Sequence, residues 1–253
     1  AVVLTGTDLY RDIQTDAHAQ ASLRLARALV VLQECGPEAL PHSMRSKARV
    51  IFQSSTSHAP LPKPPSPLRV VMVGHLREEK APQTLWQAAR LLRGHEGIRI
   101  EHIGDALDPA LAEQAHACMA QCAHYHWRGG QPHEATLGAI AQAHVLVHTS
   151  RMEGGAHAIL EAVCSGTPVL ASRIPGNVGM LGQDYDGYFA LGDAAGLAQL
   201  LLRCRDGCAQ HQGLYAQIQR QCVQRAPLFA PATEAAAVLA LVRSLCTPAN
   251  PSA

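Results

Sequence analysis

The chain has 253 residues, of which 47% are hydrophobic and 16% are charged. This composition excludes a globally disordered protein and leaves room for one large domain or two smaller ones. The net charge of +1 gives no general reason to expect nucleic acid or an anionic membrane as a partner, so any anion site has to be local. No apolar run approaches the roughly 20 residues that span a bilayer, and stable membrane insertion is not expected.

Eight cysteines are spread along the chain, and two pairs have CxxxC spacing, Cys118 with Cys122 and Cys204 with Cys208. This spacing puts each pair on one face of a predicted helix. Zinc sites usually use closer knuckle spacing, with two ligand pairs brought together. Ordinary reduced cysteines are therefore favoured over a metal site, and they fit a reducing cytoplasm.

The first block, residues 1–56, alternates predicted strands with predicted helices, which is typical of a parallel sheet. Its strands are predicted over 1–4, 28–33 and 48–55, and its helices over 16–28 and 37–47. Helical periodicity places Leu25 on the inner face of the first helix. The block is shorter than an ordinary domain of about 100–150 residues and the chain does not begin with Met, so we expect part of this domain to precede it.

Residues 57–68 contain five prolines. Proline lacks a backbone donor and fixes φ, so this stretch is predicted to be neither a central strand nor a helix. It is interpreted as a stiff linker between two domains.

The second block, residues 69–228, alternates strands and helices throughout, which predicts a doubly wound α/β domain that binds its ligand at the carboxyl ends of the strands. Residues 173–179 are predicted to form a Gly-rich loop. A further helix and a frayed tail are expected over residues 229–253. The strands are predicted within 68–76, 98–105, 124–130, 143–150, 167–172 and 187–191, and the helices over 82–93, 109–123, 133–143, 156–165, 194–205, 210–225 and 233–246.

One segment of the second block combines the features of an anion site. Ser150 ends a buried strand, Glu153 and two glycines make the turn, and a helix begins near His157. Glycines allow close backbone approach, and the start of a helix offers unpaired donors to a phosphate. Glu161 follows about two turns later, where a carboxylate can accept hydrogen bonds from a ribose diol. Each glutamate alone would be read as a helix-start acid or a surface charge, but the combination favours a site.

The stretch "SRMEGGAHAILEAVCSGTPVLAS" resembles the E-x7-E signature of family 4 retaining glycosyltransferases. The similarity extends in order and spacing from about residue 69 to residue 205, through "VMVGHLREEKAP", "HIGD", "WRG", "PGNVG" and "GYFALGD". It implies the GT-B type of α/β fold, in which two Rossmann-like domains face each other across a cleft. Here the nucleotide-sugar domain is complete and only part of the acceptor-side domain is present.

The resemblance also implies roles for individual residues. Glu161 would hold the ribose diol, and Glu153 would meet the donor sugar. The backbone of Gly154, Gly155 and Ala156 would contact sugar hydroxyls and phosphate.

The cations predicted for the diphosphate and the residues predicted beside the base match the family pattern only in part. Lys80 matches the lysine that neutralises the diphosphate, but the usual arginine of the "GR" pair is His75, and Arg77 is the candidate replacement cation. A solvated pair of loop cations is the alternative for Arg77 and Lys80. Trp127 and Arg128 fall where the family brackets the base, and a core role for Trp127 is almost equally favoured.

The first block resembles a smaller group related to the selenosugar synthase of selenoneine biosynthesis, through "LTGTDLYRD", "ALVVLQ" and "VIFQSS". The histidine that contacts the donor sugar in many family 4 enzymes is replaced here by Thr5, which is consistent with an unusual acceptor. The resemblance implies that the acceptor is a small anion, selenophosphate. The alternative is a strand-end turn in which Asp8 caps the next helix. The residues that would line the acceptor side are Gly6, Thr7, Asp8, Tyr10 and Arg11.

The sequence therefore predicts a hexosyltransferase that uses UDP-GlcNAc or UDP-glucose, with no metal and no further cofactor. The 14 histidines are scattered, and neither HExxH nor a DxD triplet occurs. A helix start with cationic side chains can stabilise the leaving diphosphate without metal. Two alternatives remain open: a family 4 enzyme with a sugar or lipid acceptor, and a fragment that binds the donor without turnover. The stereochemistry and the oligomeric state are left open.

Overall fold

A computed structural model describes residues 1–56 and 61–246. The first part of the predicted linker, residues 57–60, and the predicted frayed tail, residues 247–253, lie outside the described residues. The remainder of the linker, residues 61–67, contains neither helix nor strand, and β4 begins at Leu68, within the predicted linker.

Two parallel sheets organise the described chain. The first has three strands in the order β1-β2-β3, and the second has six in the order β6-β5-β4-β7-β8-β9, in which the direction of strand succession reverses between β4 and β7. This is the strand order of a doubly wound nucleotide-binding fold, and it confirms the predicted α/β class. The strands are β1 (Val2–Leu4), β2 (Leu29–Val31), β3 (Ala48–Val50), β4 (Leu68–Val73), β5 (Ile98–Ile103), β6 (Tyr125–Trp127), β7 (Val145–His148), β8 (Val169–Ser172) and β9 (Tyr188–Phe189).

Helices connect the strands and cover both faces of the larger sheet. They are α1 (Ile13–Thr15), α2 (Ala17–Leu25), α3 (Gly36–Ala39), α4 (Pro82–Leu91), α5 (Pro109–Gln121), α6 (His133–Gln142), α7 (His157–Cys164), α8 (Pro175–Leu181), α9 (Ala194–Cys208), α10 (Gly213–Arg225) and α11 (Pro231–Cys246). Shorter turns of 3-10 helix lie at His42–Lys47, Glu78–Lys80 and Ala226–Phe229.

The main core lies in the second block. Every residue of β7 and β8 is buried, because helices pack on both faces of these central strands. On α4 the buried side chains include Leu85, Ala88 and Ala89, whose spacing of three and four residues places them on one face of the helix. All eight cysteines are free thiols, and Cys118, Cys122, Cys204 and Cys208 pack inside this core.

The carboxyl-terminal helix packs on the first block. Ala237 and Leu241 of α11 contact the buried cluster of Val30, Leu32 and Ile51. The carboxylate of Glu234 accepts hydrogen bonds from the Ser54 backbone N–H at 2.9 Å and from the Ser54 hydroxyl at 2.5 Å. The chain therefore crosses back over the junction, which ties the two blocks together.

The structure corrects three local predictions. The predicted loop at residues 173–179 is largely the helix α8, where Pro175 supplies a helical first residue. Its Gly176 and Gly179 are needed because a Cβ would lie 2.1 Å from the Glu153 carbonyl oxygen and 1.7 Å from the Gln33 side chain. The predicted helix 37–47 is broken by Pro41 into α3 and a 3-10 turn. Leu25 is 85% exposed, since α2 buries Leu23 instead.

Within residues 1–56 and 61–246, none of the helices taken singly has the length and apolarity of a membrane span. One bent pair, Gly213–Phe229 with Pro231–Cys246, meets the criteria of length and composition across a bend of 43°.

Candidate functional site

A cleft of about 540 Å³ opens at the carboxyl ends of the second sheet. It lies where the sheet order reverses between β4 and β7, which is the ligand position expected for a doubly wound sheet. The loops after β4, β5 and β6 and the first turns of α6 and α7 form its walls. We call it the donor cleft, because the family resemblance implies that a nucleotide sugar would bind there. Its polar lining side chains are those of His75, Lys80, Asp105, Gln131, Thr136, His148, His157 and Glu161.

The loop after β4 is held in place by the loop after β5. Gly104 has a φ of +151° and approaches so closely that a Cβ there would lie 2.1 Å from the Gly74 carbonyl oxygen. His75 Nδ1 accepts a hydrogen bond from the Asp105 N–H at 3.0 Å. The Asp105 carboxylate in turn accepts from the Gly130 N–H at 2.8 Å. The predicted His75 therefore lines the cleft in a fixed orientation.

A buried histidine, His102, contacts the loop that follows β4. His102 Nε2 lies 3.1 Å from the Gly74 carbonyl oxygen, and Nδ1 lies 3.0 Å from the Tyr125 hydroxyl. Burial lowers the pKa of His102 to about 4, so the ring is neutral at pH 7 and donates one hydrogen bond while accepting another.

Lys80 and Glu153 form an ion pair beside the cleft. Lys80 Nζ lies 2.5 Å from Glu153 Oε1, and the two side chains are only 16% and 11% exposed. The turn that presents Lys80 ends at Ala81, whose φ of 44° is uncommon for a residue other than glycine. His148 Nε2 approaches the same carboxylate oxygen at 3.1 Å.

This cluster keeps Glu153 ionised. Burial acts to raise the pKa of the Glu153 carboxyl, but the hydrogen bond from His148 and the charge and hydrogen bond of Lys80 outweigh it and hold the pKa well below its usual range. Burial lowers the pKa of His148, against the opposing effect of Glu153. At neutral pH the cluster is therefore a lysine cation, a carboxylate and a neutral histidine.

Glu161 forms the opposite side of the donor cleft. It is largely buried on α7, and its Oε1 lies 2.9 Å from His133 Nε2 at the start of α6. His157 Nδ1, one turn earlier on α7, lies 3.9 Å from the same oxygen. Glu161 is therefore a buried cleft residue, rather than the surface charge of the alternative interpretation.

A second cavity, of about 260 Å³, lies at the junction of the two blocks. We call it the junction cavity. Residues from the end of β1 and from the Glu-Gly-Gly turn meet there, and Arg77 lies in its wall. Its lining residues are Thr5, Gly6, Thr7, Leu32, Gln53, Arg77, Glu79, Met152, Glu153, Gly154 and Gly155.

The two glycines of the Glu-Gly-Gly turn lie against the first block. A Cβ on Gly154 would be 2.3 Å from the Gly6 nitrogen, and a Cβ on Gly155 would be 2.6 Å from Leu32 Cβ. Neither glycine lines the donor cleft, and the next residue, Ala156, is buried at the start of α7. The glycines were expected to let a ligand approach, but here they let two backbones meet.

Arg77 is also placed differently from the prediction. It was expected to join Lys80 as the cation of the diphosphate site, yet it lines the junction cavity and not the donor cleft. The reason is local, because the backbone of Arg77 is extended and the 3-10 turn after it directs Lys80 to the donor cleft.

The residues predicted to line the acceptor side do not all lie in one cavity. Gly6 and Thr7 line the junction cavity. The chain is helical from Gly6, with a stretch of π-helix at Asp8–Asp12. The Asp8 carboxylate accepts from the Thr5 N–H at 2.8 Å and from the Thr5 hydroxyl at 2.6 Å, so it caps the start of this helical segment. Arg11 is 60% exposed and pairs with Asp12 at 3.1 Å. Neither Asp8 nor Arg11 lines a described cavity.

Tyr10 takes a structural position. Its hydroxyl accepts a hydrogen bond from Gln33 Nε2 at 2.9 Å, and burial raises its pKa to about 12. It borders a smaller cavity with Arg151, Met152 and Ile174 on the other side of Glu153.

Trp127 and Arg128 are not brought to the donor cleft. Trp127 packs against the main core, and its Nε1–H donates to the Gly104 carbonyl at 2.8 Å. Arg128 is half exposed and lies 3.6 Å from Glu101. The core alternative therefore describes Trp127 better than the predicted place beside the base, because the backbone after β6 turns Gly130 and Gln131, not these two side chains, into the cleft.

Sequence reasoning missed three polar residues of the site, His148, His133 and Asp105, and the backbone of Gly130. For His148 a signal was present, since a histidine ends an otherwise apolar buried strand. Asp105 lies in the loop after β5 and His133 is the first residue of α6, and tertiary packing sets the direction of both side chains, so no local pattern marks them. In the part of the chain that is described, no group of three or more His, Cys, Asp or Glu residues is arranged to hold a metal ion.

Comparison with solved structures shows the same fold. HepE from Anabaena, in complex with UDP and glucose, superposes with a TM-score of 0.75 at 16% identity, covering 94% of this chain and 70% of that chain. Sucrose-phosphate synthase from Thermosynechococcus elongatus gives a TM-score of 0.77 at 20% identity, covering 95% and 65%. These likenesses confirm the expected GT-B type of α/β fold.

A mutant of TarM from S. aureus, in complex with Fondaparinux, alpha-GlcNAc-glycerol and UDP, gives a TM-score of 0.71 at 15% identity and covers 94% of this chain. The chain spans 50% of the length of that protein. The family model "Glycosyl transferases group 1" matches residues 53–203, which is more than half of the chain. This protein therefore belongs to the glycosyl transferases group 1 family.

Proposed function

We propose that this chain belongs to a glycosyltransferase that moves a sugar from UDP-GlcNAc or UDP-glucose to a small anionic acceptor, selenophosphate, and releases UDP. The observation that carries the proposal is the convergence of Lys80, Glu153 and Glu161 at the carboxyl edge of one parallel sheet. In this proposal the second block holds the donor, and the first block contributes one wall of the acceptor site.

The donor half of the proposal uses the two sides of the cleft. Glu161 is buried, its carboxylate lies near His133 and His157, and it is able to accept hydrogen bonds from both ribose hydroxyls. Lys80 provides the positive charge for the diphosphate, and His75 adds a ring held by Asp105. The first turn of α7 lies in the same cleft, where its unpaired N–H groups favour an anion.

The reaction needs the charge on the leaving diphosphate to be stabilised as it develops. The bond from the sugar C1 to the diphosphate oxygen breaks, its electron pair stays on UDP, and the acceptor nucleophile forms the new bond to C1. With selenophosphate the new bond is carbon–selenium. Lys80 is well suited to this role because it is held in a partly buried place, where a positive charge acts more strongly than in water.

The acceptor half rests on the junction cavity. It is about half the size of the donor cleft, at roughly 260 Å³ against 540 Å³, which suits a small acceptor better than a lipid. Arg77 gives it a cation that can bind phosphate oxygens through two N–H groups. Glu153 lies in its wall and is bonded to Lys80, so the cavity and the donor cleft share one ion pair.

The proposal is tested by incubating the protein with each UDP-sugar and selenophosphate, and by following products with mass spectrometry. We expect UDP and a selenium-containing sugar to appear in equal amounts, and neither to appear when Glu161 is changed to Ala. Omission of the acceptor measures background hydrolysis of the donor. Binding of UDP without a selenosugar from any UDP-sugar would overturn the acceptor, and absence of UDP binding would overturn the donor as well.

A sugar acceptor is the second candidate. The TarM complex contains alpha-GlcNAc-glycerol together with UDP, and one HepE complex contains glucose together with UDP. If the acceptor of this protein is a sugar, the same assay with glucose or a GlcNAc-glycoside will give a product in which two sugars are joined, and selenophosphate will not compete with it.

A further inference from the structure

His148 occupies an unusual place for a polar side chain. It is the last residue of β7, a central strand in which every residue is buried, and its own exposure is only 2%. A polar ring in such a place costs free energy unless its nitrogens are hydrogen-bonded. His148 nevertheless lines the donor cleft, together with Lys80 and the first turn of α7.

One ring nitrogen of His148 forms a hydrogen bond within the protein. Nε2 lies 3.1 Å from Glu153 Oε1, and an ionised carboxylate only accepts, so Nε2 carries the hydrogen. Burial keeps the ring neutral by lowering its pKa, and the charged groups that face it are Glu153 and Lys80. In this tautomer Nδ1 is an unprotonated acceptor. Nδ1 makes no hydrogen bond with any part of the chain that the structure describes.

In the other two buried histidines, His102 and His144, both ring nitrogens have a hydrogen-bond partner. His102 places its two nitrogens against the Tyr125 hydroxyl and the Gly74 carbonyl. His144 uses Nδ1 for the Arg69 N–H and Nε2 for the Pro64 carbonyl. Of the three, His148 alone lines the donor cleft, and it is also the one with a ring nitrogen that has no partner in the described chain.

We propose that His148 is a residue that positions Glu153 and selects the donor sugar: Nε2–H holds the Glu153 carboxylate, and Nδ1 accepts a hydrogen bond from a hydroxyl of the bound sugar. This inference rests on the proposed donor, a UDP-sugar. His148 and Lys80 both contact Glu153 Oε1, and Lys80 is the proposed diphosphate contact, whereas the predicted ribose contact is Glu161. His148 is therefore expected to act on the affinity for the sugar and not on the affinity for UDP.

Three substitutions separate the two hydrogen bonds. His148→Gln keeps an amide N–H close to the place of Nε2, and so retains the bond to Glu153 without the acceptor at Nδ1. His148→Asn places an amide oxygen close to the place of Nδ1 and loses the bond to Glu153. His148→Leu removes both at similar volume. His144→Leu is the matched control, because it removes an equally buried and fully bonded histidine outside the donor cleft.

The measurement is calorimetric binding of UDP, UDP-glucose and UDP-GlcNAc to each variant. The useful quantity is the ratio of the Kd for a UDP-sugar to the Kd for UDP. One lost hydrogen bond changes this ratio by about tenfold. We expect that rise for His148→Leu and His148→Gln, a smaller rise for His148→Asn, and an unchanged ratio for His144→Leu.

Each other outcome has a defined meaning. A structural role for His148 alone would weaken UDP and the UDP-sugar together and leave the ratio unchanged, which would overturn the inference. A wild-type ratio in His148→Gln would show that Nδ1 has no part in binding. If the unchanged protein binds no UDP, the proposed function fails first. If it binds UDP and the ratio is insensitive to all three substitutions, only the role of His148 fails.

Discussion

Lys80 Nζ lies 2.5 Å from Glu153 Oε1, so the cation of the donor cleft is already paired with a carboxylate of the junction cavity. A diphosphate that binds at Lys80 has to share this cation with Glu153. Occupation of one cavity therefore changes the charge that faces the other. Four predictions follow from this pair and from the contacts around it.

Lys80→Met is expected to weaken UDP binding by about 10- to 100-fold, because a hydrogen bond to a charged group contributes roughly 1.5–3 kcal/mol. Uridine, which lacks the phosphates, should bind with unchanged affinity. Calorimetry with both ligands checks this. Lys80→Arg retains the charge, so its affinity for UDP should fall by less than that of Lys80→Met. An equal loss for uridine would mean that the substitution disturbs the whole cleft.

Glu153→Gln is expected to destabilise the fold in a manner that depends on pH. The folded-state pKa of Glu153 lies below its ordinary value of 4.5, so the unfolded state binds more protons between the two values. The stabilisation is therefore fully present above pH 4.5 and is lost as the pH falls through the folded-state value. Urea unfolding at pH 7 and at pH 3 should show a gap between wild type and variant that narrows at pH 3. A gap independent of pH would contradict an ionised Glu153.

Glu161→Gln is expected to reduce the affinity for both UDP and uridine by about tenfold or more, since a charged acceptor for ribose hydroxyls is replaced by a neutral one. The matched control is Glu113→Gln, a loss of the same charge on the exposed face of α5. Loss of affinity for UDP with no change for uridine would place Glu161 beside the phosphates instead of the ribose. No change for either ligand would remove it from the site.

Gly154→Ala is expected to separate the two blocks. The new Cβ would lie 2.3 Å from the Gly6 nitrogen and 2.6 Å from the Thr5 carbonyl carbon, which are backbone atoms that cannot turn aside. Overpacking of this kind costs about 1–3 kcal/mol, and it should appear as a lower urea midpoint.

Gly138→Ala is the control for that substitution. Gly138 lies within α6, and a Cβ there meets nothing within 4 Å. Alanine is the better helix former by about 0.5–1 kcal/mol, so this variant should gain stability. If both alanine variants were equally stable, the close approach of Gly154 to Gly6 would not be a constraint on the fold.

The alternation of strands and helices could be predicted because it depends on local periodicity. The helix predicted over 82–93 and the strand that Ser150 follows could be predicted for this reason. The α8 helix was missed because its glycines resemble those of a loop. They are required by the close packing of Glu153 and Gln33, which lie far from α8 in sequence.

By itself the sequence determined the α/β class, a cleft at the carboxyl ends of the strands, and two of the residues that line it, Lys80 and Glu161, whereas Glu153 lies in the wall of the junction cavity. Only the tertiary structure decided which of these groups meet. Arg77 and Lys80 are three residues apart but face different cavities, because the turn between them rotates the backbone. The bond from His148 to Glu153 and the contact of Gly6 with Gly154 depend on how strands and blocks are packed together, and no local pattern encodes that arrangement.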